Sequence, residues 1–296
     1  MIAHQLSILI PSYNGRAYLH RCLEALRLAA PHAEVIVVDG SSTDGSADMV
    51  EDEFPEVRLS RVPNHGWAHA SNRAAELATR DYYLFLNSDA FVTTEAIETM
   101  LSRLMHSHQT GVAAPMLMNE DGTRQKLFGA WYWPVWRPVT RPLSVPVVSG
   151  ACFMTTRRCF ERVGAFDETF FLYNEEFDWC SRARALGYRL EILPTEIVHV
   201  GGGSTARSAL LEQEAQRGFV YLSEKHWPEW VTRGLREVVR VEAWLGKHID
   251  PRPRHRIMWG SLESTMRRKA YGESPFELSG RGVPRLNFSP DPQAGQ

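Results

Sequence analysis

The chain has 296 residues, 44% apolar and 23% charged, with a formal net charge of −2. That length holds one large domain with an appendage or two modest ones, and the composition is ordinary for a soluble globular protein. The near-neutral balance leaves no electrostatic footprint for nucleic acid, and no run reaches the ~18 apolar residues that a membrane span needs. The charge is nevertheless uneven. Trp227–Lys269 carries ten Lys/Arg against five Asp/Glu, a net of +5, so the remainder sums to −7. Met1 to Gly15 reads as strand and turn rather than as a cleavable signal. Cys22, Cys152, Cys159 and Cys180 lack paired metal spacing and are expected to be reduced and buried, as in a cytosolic protein.

Leu6–Ile10 is expected as a first strand, closed by Pro11-Ser12-Tyr13-Asn14-Gly15. The helix after it repeats apolar residues at Leu19, Cys22, Leu23, Leu26 and Ala30. Val35–Val38 is a second buried strand ending on Asp39, and Gly40–Ser46 opens a helix through a loop rich in N-cap residues. Val57–Val62 is a third strand. Asn64-His65-Gly66-Trp67 turns into a helix that carries Asn72 and Arg73 and runs to about Thr79. Tyr82–Leu86 is too short for a buried helix and reads as a central strand covered on both faces, stopping on Asn87, Ser88 and Asp89. Strands alternating with helices in this way predict an α/β domain with a mostly parallel sheet flanked by helices.

Strand ends of such a sheet collect at one edge, where ligands bind. Pro11–Asn14, Asp39–Ser41, the Asn64–Arg73 turn and Asn87–Asp89 all fall there. A carboxylate such as Asp39 can accept the N–H of a uracil or thymine base. Backbone N–H groups and Arg73 can meet phosphate. Asn87 and Asp89 offer oxygens to a hard divalent cation, although Asn, Ser and Asp also favour a plain turn capping the next helix. Neither a glycine-rich dinucleotide fingerprint nor a P-loop is present, which argues against a dehydrogenase or an NTPase.

A helix near Glu95–His106 and a strand near Gly111–Pro115 come next, followed by Asn119-Glu120-Asp121-Gly122, a hairpin-turn signal. Gly129–Pro146 holds Trp131, Tyr132, Trp133 and Trp136 among four prolines, a loop whose aromatic faces either stack on a sugar or pack onto the domain. Val147–Met154 is a further strand and Arg157–Val163 a short helix. Asn174 is placed to cap a helix with Phe177, Cys180, Ala183 and Leu186 on one face, closed by Gly187. The acidic first turn of that helix, Glu175 and Glu176, is also what a helix dipole favours. Arg189–Val198 forms one or two strands ending at His199, with Gly201–Thr205 following. A histidine at a strand end is more often structural than a ligand, but the adjacent glycines permit a close-approaching backbone.

Beyond Thr205, Ala206–His226 and Pro228–His248 are expected as long helices, and Ser279–Gln296 as a disordered tail. Over Trp227–Ile249 an apolar series, Val231, Leu235, Val238, Leu245 and Ile249, accompanies a separate basic stripe of Arg233, Arg236, Arg240 and Lys247, with Arg252, Arg254 and Arg256 just after it. Peripheral contact with an anionic membrane and packing against the rest of the chain or a second subunit both account for that pattern.

Four stretches in order, Ile8–Asn14, Val37–Ser46, Asn64–Trp67 and Leu84–Asp89, resemble the motifs of family 2 glycosyltransferases. The resemblance implies a GT-A fold, a nucleotide-diphosphate sugar donor and a divalent metal, Mn²⁺ or Mg²⁺. The family usually carries Asp-X-Asp at the metal strand. Here the first position is Asn87, a variant familiar among rhamnosyltransferase-like members, which implies dTDP-rhamnose as donor and a glycan or lipid-linked hydroxyl as acceptor. By the same resemblance Pro11, Ser12, Tyr13, Asn14, Asp39, Ser41, Gly66, Asn72, Arg73, Asn87 and Ser88 surround the donor, Asp89 and His199 hold the metal, and Glu176 is the base of an inverting transfer. Residues 1–205 are then the catalytic domain, 206–278 a helical extension and 279–296 the tail. The enzyme is expected in the cytoplasm, peripheral to the inner face of the membrane where its acceptor is lipid-linked. Two other readings stand beside this one. A sugar nucleotidyltransferase would bring a glycine- and lysine-rich phosphate loop that the first strand lacks; a non-catalytic sugar- or partner-binding module would keep the fold alone.

Overall fold

The computed structural model describes residues 3–126, 137–201, 209–274 and 276. The expectations for Trp131, Tyr132, Trp133, Trp136, the segment Gly202–Thr205, the side chain of Arg254 and the tail lie outside these residues. The chain forms two compact units. Met1–Asn64, His69–Phe166 and Trp179–Thr205 make the first; His65–Ala68, Asp167–Asp178 and Ala206–Gln296 make the second.

Strands and helices alternate through the first unit, with the starts of α3 and α6 counted in the second: β1 (Leu6–Ser12), α1 (Arg16–Ala29), β2 (Glu34–Asp39), α2 (Ser46–Glu53), β3 (Arg58–Arg61), α3 (Trp67–Leu77), β4 (Tyr82–Leu86), β5 (Ala90–Phe91), α4 (Thr94–His106), β6 (Thr110–Met118), β7 (Leu143–Ser144), β8 (Cys152–Thr156), α5 (Arg157–Val163), α6 (Glu175–Ala185) and β9 (Arg189–His199). The sheet order is β3-β2-β1-β4-β8-β6-β9-β5, with β7 also on β9. The half containing β1 to β4 is parallel, as short strand-helix alternation requires. β8 enters between β4 and β6 antiparallel to both.

Several boundaries differ from the sequence expectation for physical reasons. β8 begins only at Cys152; Val147 and Val148 are buried without joining the ladder. β6 runs on past Pro115 to Met118, and its register with β9 shifts between Ala114 and Met116, where proline has no N–H to give. β9 is one long strand, and β5 and β7, two residues each, are too short to show any periodicity.

β4 is covered on both faces. Leu84 and Leu86 join Leu6, Ile8, Ile10, Leu19, Leu23 and Met100 on one side. Tyr83 and Phe85 face an aromatic group of Phe153, Phe160, Phe166 and Trp179 on the other. Phe85 and Phe153 are direct cross-strand partners with ring centroids 5.0 Å apart, and the Trp179 indole N–H donates to the Gly164 carbonyl at 2.8 Å. All four cysteines are free and buried, as expected.

The second unit adds α7 (Ala209–His226), α8 (Glu229–Ile249) and α9 (Pro253–Arg268). The helix α9 was not anticipated; proline suits its first turn, and its buried positions Met258, Leu262 and Met266 are sparse. Val220, Val239, Ala243, Leu262, Met266 and Tyr271 form the core. α8 buries Thr232, Val239 and Ala243, and Gly246 lets the Trp259 ring approach to where a Cβ would be 2.6 Å away. Of the expected apolar series, Val238 and Ile249 stay 64% and 73% exposed. The basic stripe is compensated: Arg233 pairs with Glu229, Arg236 and Arg240 with Glu237, and Lys247 with Glu263. Among the described residues no helix is long and apolar enough to cross a membrane.

Because Phe153 is buried and stacked at the centre of the aromatic face, Phe153→Ala is expected to cost about 3–5 kcal/mol. Urea denaturation followed by tryptophan fluorescence measures it; a loss under 1 kcal/mol would mean that the face repacks around the gap.

Candidate active site

The ends of β1 and β2 are joined by their register, Ser12 opposite Asp39. The Gly40 N–H donates to the Ser12 carbonyl at 2.8 Å, and the Val62 N–H to the Asp39 carbonyl at 2.9 Å. Asp39 is buried; its Oδ2 accepts the Ser42 N–H at 2.8 Å. Its Oδ1 and the Ser12 hydroxyl are buried with no hydrogen-bond partner among the described residues. A buried carboxylate oxygen left unpaired is expensive, so this atom is the natural place for a ligand N–H.

The loop after Asp39 is folded against the turn after β1. The Asn14 N–H donates to Ser42 Oγ at 2.8 Å, Asn14 Oδ1 accepts the Thr43 N–H at 2.8 Å, and Asp44 Oδ2 accepts the Arg16 N–H at 2.9 Å. Asn14 and Ser41 adopt left-handed φ of 47° and 63°, which a short polar side chain tolerates, and the Ser41 hydroxyl donates to the Val62 carbonyl. Burial pushes the Tyr13 phenol above its ordinary range, and the charges of Asp39 and Asp44 add to it against hydrogen bonds with Asn64 and Asn14. Pro11 lies inside β1 opposite Val38.

Asn72 is buried, and its amide grips the Phe166 backbone, donating to the carbonyl at 3.0 Å and accepting the N–H at 2.9 Å. Arg73 pairs with Glu76 at 2.8 Å on the same helix. Gly66, in the second unit, has φ 92°, and a Cβ there would sit 2.0 Å from the Phe171 carbonyl oxygen, which also accepts the Trp67 N–H. Glycine is required at that position by backbone approach.

Beyond β4 the chain turns tightly. The Asn87 N–H donates to the Ala151 carbonyl and its carbonyl accepts from Ala90, which leaves Ser88 and Asp89 buried. The short strand β5 pairs antiparallel with the end of β9, Ala90 opposite His199, and the Val200 N–H donates to the Asp89 carbonyl at 3.0 Å. These bonds bring His199 Nε2 to 3.5 Å from Asp89 Oδ1, with side chains 14% and 4% exposed. Burial, helped by the Asp89 charge, pushes the Cys22 thiol up. Carboxylate oxygen with imidazole nitrogen is a donor set that Mn²⁺ or Mg²⁺ accepts. Among the described residues no group of three or more His, Cys, Asp and Glu side chains gathers. Among the described residues the pair therefore supplies one carboxylate and one imidazole donor, open to further donors such as a ligand's oxygens.

The acidic segment lies in the second unit. Tyr173 and Asn174 precede α6 with φ of 71° and 74°, so Asn174 lacks the extended geometry of an N-cap; its amide donates to the Ala215 carbonyl of α7 at 3.1 Å instead. Glu175 is 4% exposed and Glu176 half-buried. Burial, then the charges of Glu176 and Glu214, raise the Glu175 carboxyl well above the ordinary range. Asp178 is fully buried between Lys225 at 2.6 Å and His226 at 2.9 Å, and Lys225 also reaches Asp167 at 2.6 Å. Glu214 accepts the Phe171 N–H at 3.0 Å, and Arg217 donates to the Thr169 carbonyl at 2.9 Å. Nothing in the linear spacing pointed to Lys225, His226 or Arg217, because α7 supplies them from some fifty residues away.

Residues 7–164 match the profile described as Glycosyl transferase family 2. The chain belongs to that family. A Mycobacterium tuberculosis N-acetylglucosaminyl-diphospho-decaprenol L-rhamnosyltransferase is 27% identical over 89% of this chain and 96% of its own. Among solved structures, a Pyrobaculum calidifontis mannosyltransferase in complex with GDP-Man and Mn²⁺ superposes with a TM-score of 0.56 at 16% identity, covering 90% of this chain and 85% of that one. GalNAc-T7 with UDP, GalNAc and Mn²⁺ gives a TM-score of 0.59 at 16% identity, covering 90% of this chain and 54% of that one. The fold of this glycosyltransferase is of the GT-A type.

The raised Glu175 carboxyl has a consequence for stability. The unfolded carboxyl titrates near 4.3, below the folded one, so between those values the folded state binds more protons. The penalty is absent below the unfolded pKa and grows as pH rises towards the folded one. Glu175→Gln is expected to raise the melting temperature at pH 8, with the gain fading towards pH 4. A gain that is constant across this range would rule out ionisation as its source.

Proposed function

We propose that this glycosyltransferase transfers rhamnose from dTDP-rhamnose, with inversion, onto a hydroxyl of a lipid-linked glycan. The observation that carries the reading is the meeting of Asp89 and His199 at the end of the central strand. The printed activity of the mycobacterial relative supports the choice of sugar and acceptor class, and Mn²⁺ in two structural neighbours supports the metal.

Asp39 would accept the base N–H at its buried, unpartnered Oδ1, with Ser12, Tyr13 and Asn14 lining the same strand ends. Asp89 and His199 fit a Mn²⁺ or Mg²⁺ ion by donor chemistry, and such an ion, when bound, offsets the charge that builds on a leaving diphosphate. Of the adjacent acids, burial pushes the Glu175 carboxyl up and disfavours its charged form, which leaves the half-buried Glu176 as the better placed of the two to accept a proton. Glu176 is thereby the base. It takes the acceptor proton as the hydroxyl oxygen bonds to the anomeric carbon, and the bond from that carbon to the diphosphate oxygen breaks with its electron pair leaving on the diphosphate.

Activity is expected to require a divalent cation and to vanish in Asp89→Ala, while Asn87→Asp tightens Mn²⁺ binding. Undiminished turnover of dTDP-rhamnose in excess EDTA would falsify the metal reading. In a thermal-shift panel dTDP-rhamnose is expected to stabilise the protein more than UDP- or GDP-linked sugars; the reverse order rejects the donor.

Glu176→Gln is expected to retain donor binding and to slow transfer by about two to four orders of magnitude. A dead Glu175→Gln beside an active Glu176→Gln would move the base by one residue.

A further inference from the structure

The turn Asn119–Gly122 and the residues after it lead directly to His199. Asp121 Oδ1 accepts both the backbone N–H and the hydroxyl of Thr123, at 2.9 and 2.6 Å. A carboxylate only accepts, so the Thr123 hydroxyl proton is committed to it. The Thr123 oxygen is then the acceptor for Asn119 Nδ2 at 2.9 Å. That orientation turns Asn119 Oδ1 towards Gln125, whose Nε2 donates to it at 2.9 Å and to the His199 carbonyl at 2.7 Å. Both amide hydrogens of Gln125 are now used, and its Oε1 lies 3.2 Å from His199 Nδ1.

Each step has one polarity. Flipping the Gln125 amide would set its oxygen against two acceptors, Asn119 Oδ1 and the His199 carbonyl, and leave its NH₂ facing the ring. Flipping Asn119 would oppose two NH₂ groups. The series is anchored on a charge and ends by demanding a proton on His199 Nδ1. In a neutral imidazole the other nitrogen, Nε2, then carries the lone pair, and it is Nε2 that stands 3.5 Å from Asp89 Oδ1. That separation is well beyond the ~2.7–2.9 Å of a charge-assisted hydrogen bond, so the two side chains are not closed on each other.

The mounting is equally specific. The Gln125 backbone N–H donates to the Leu117 carbonyl at 2.9 Å, and Met118 pairs with Val198, the residue before the histidine. Gln125 holds the ring and the carbonyl of one residue at once, which limits rotation of the ring relative to the backbone.

We propose that the Asn119–Gln125 hairpin is a positioning device for His199: a one-way chain of hydrogen bonds from Asp121 sets the Nδ1–H tautomer and aims the Nε2 lone pair towards Asp89. The inference rests on the metal reading above for its purpose, but its geometry is independent of any ion. Metal-binding histidines commonly owe their tautomer to a partner on the other nitrogen, and loss of that partner costs about 10–100-fold in affinity.

Two readouts test it on the full chain. Two-bond ¹H–¹⁵N spectra of the metal-free protein at pH 8 are expected to show His199 as the Nδ1–H tautomer. Thr123→Val, which removes the hydroxyl step without changing shape, and Gln125→Leu should both move the ring towards Nε2–H, and Thr123→Ser should restore the wild-type spectrum. Mn²⁺ titration followed by electron paramagnetic resonance should show affinity reduced about 10–100-fold in Gln125→Leu. An Nε2–H or doubly protonated ring in the wild type, or wild-type tautomer and affinity in both variants, overturns the proposal. Should the wild type bind no Mn²⁺ at all, the metal reading fails separately and the imidazole spectrum still decides the relay.

Discussion

The antiparallel pairing of Ala90 and Phe91 with Val198 and His199 is the constraint on which the site depends. Two residues of ladder are marginal by themselves. They hold because each partner is already fixed: Asp89 and Ala90 leave the central strand through a hydrogen-bonded turn, and β9 is registered along most of its length against β6. The pairing joins positions 89 and 199 and sets a carboxylate and an imidazole side by side. Without it, both would be ordinary strand-end residues.

Burial of charge is handled differently in the two units. In the first, Asp39 keeps one oxygen buried and unpartnered among the described residues, a cost that a bound base would relieve. In the second, Asp178 is paired with Lys225 and hydrogen-bonded to His226, whereas burial and the neighbouring acids push the Glu175 carboxyl up. Removing either partner of a buried pair leaves an uncompensated charge, so Lys225 of α7 is as much a condition of the acidic segment as its own sequence. The left-handed Tyr173 and Asn174 add strain of about 1 kcal/mol or more each just before the two acids.

The polar details of the first unit follow one pattern. Side chains that could be taken for ligand contacts are partly occupied in building the edge. The Asn72 amide clasps Phe166, and Asn14 pins the loop after Asp39. Such positioning keeps the remaining groups, Asp39 Oδ1 and the Asp89–His199 pair, at fixed places without substrate present.

The sequence by itself determined the parallel α/β half, the central strand and the strand-end residues, because buried strands and amphipathic helices write themselves in local periodicity. The family motifs lie within that same half, so the fold type was legible there too. What only tertiary structure decided has no local signal. The two-residue β5, the register shift at Pro115 and the α7 partners of Asp178 all come from chain segments far apart in sequence, and the α8 face that is buried depends on how α9 folds back on it. The same holds for Gln125. As a residue type it predicts nothing, and it matters because the hairpin turn sets its amide between Asn119 and His199, an arrangement that hydrogen-bond polarity imposes only once β6 and β9 lie side by side.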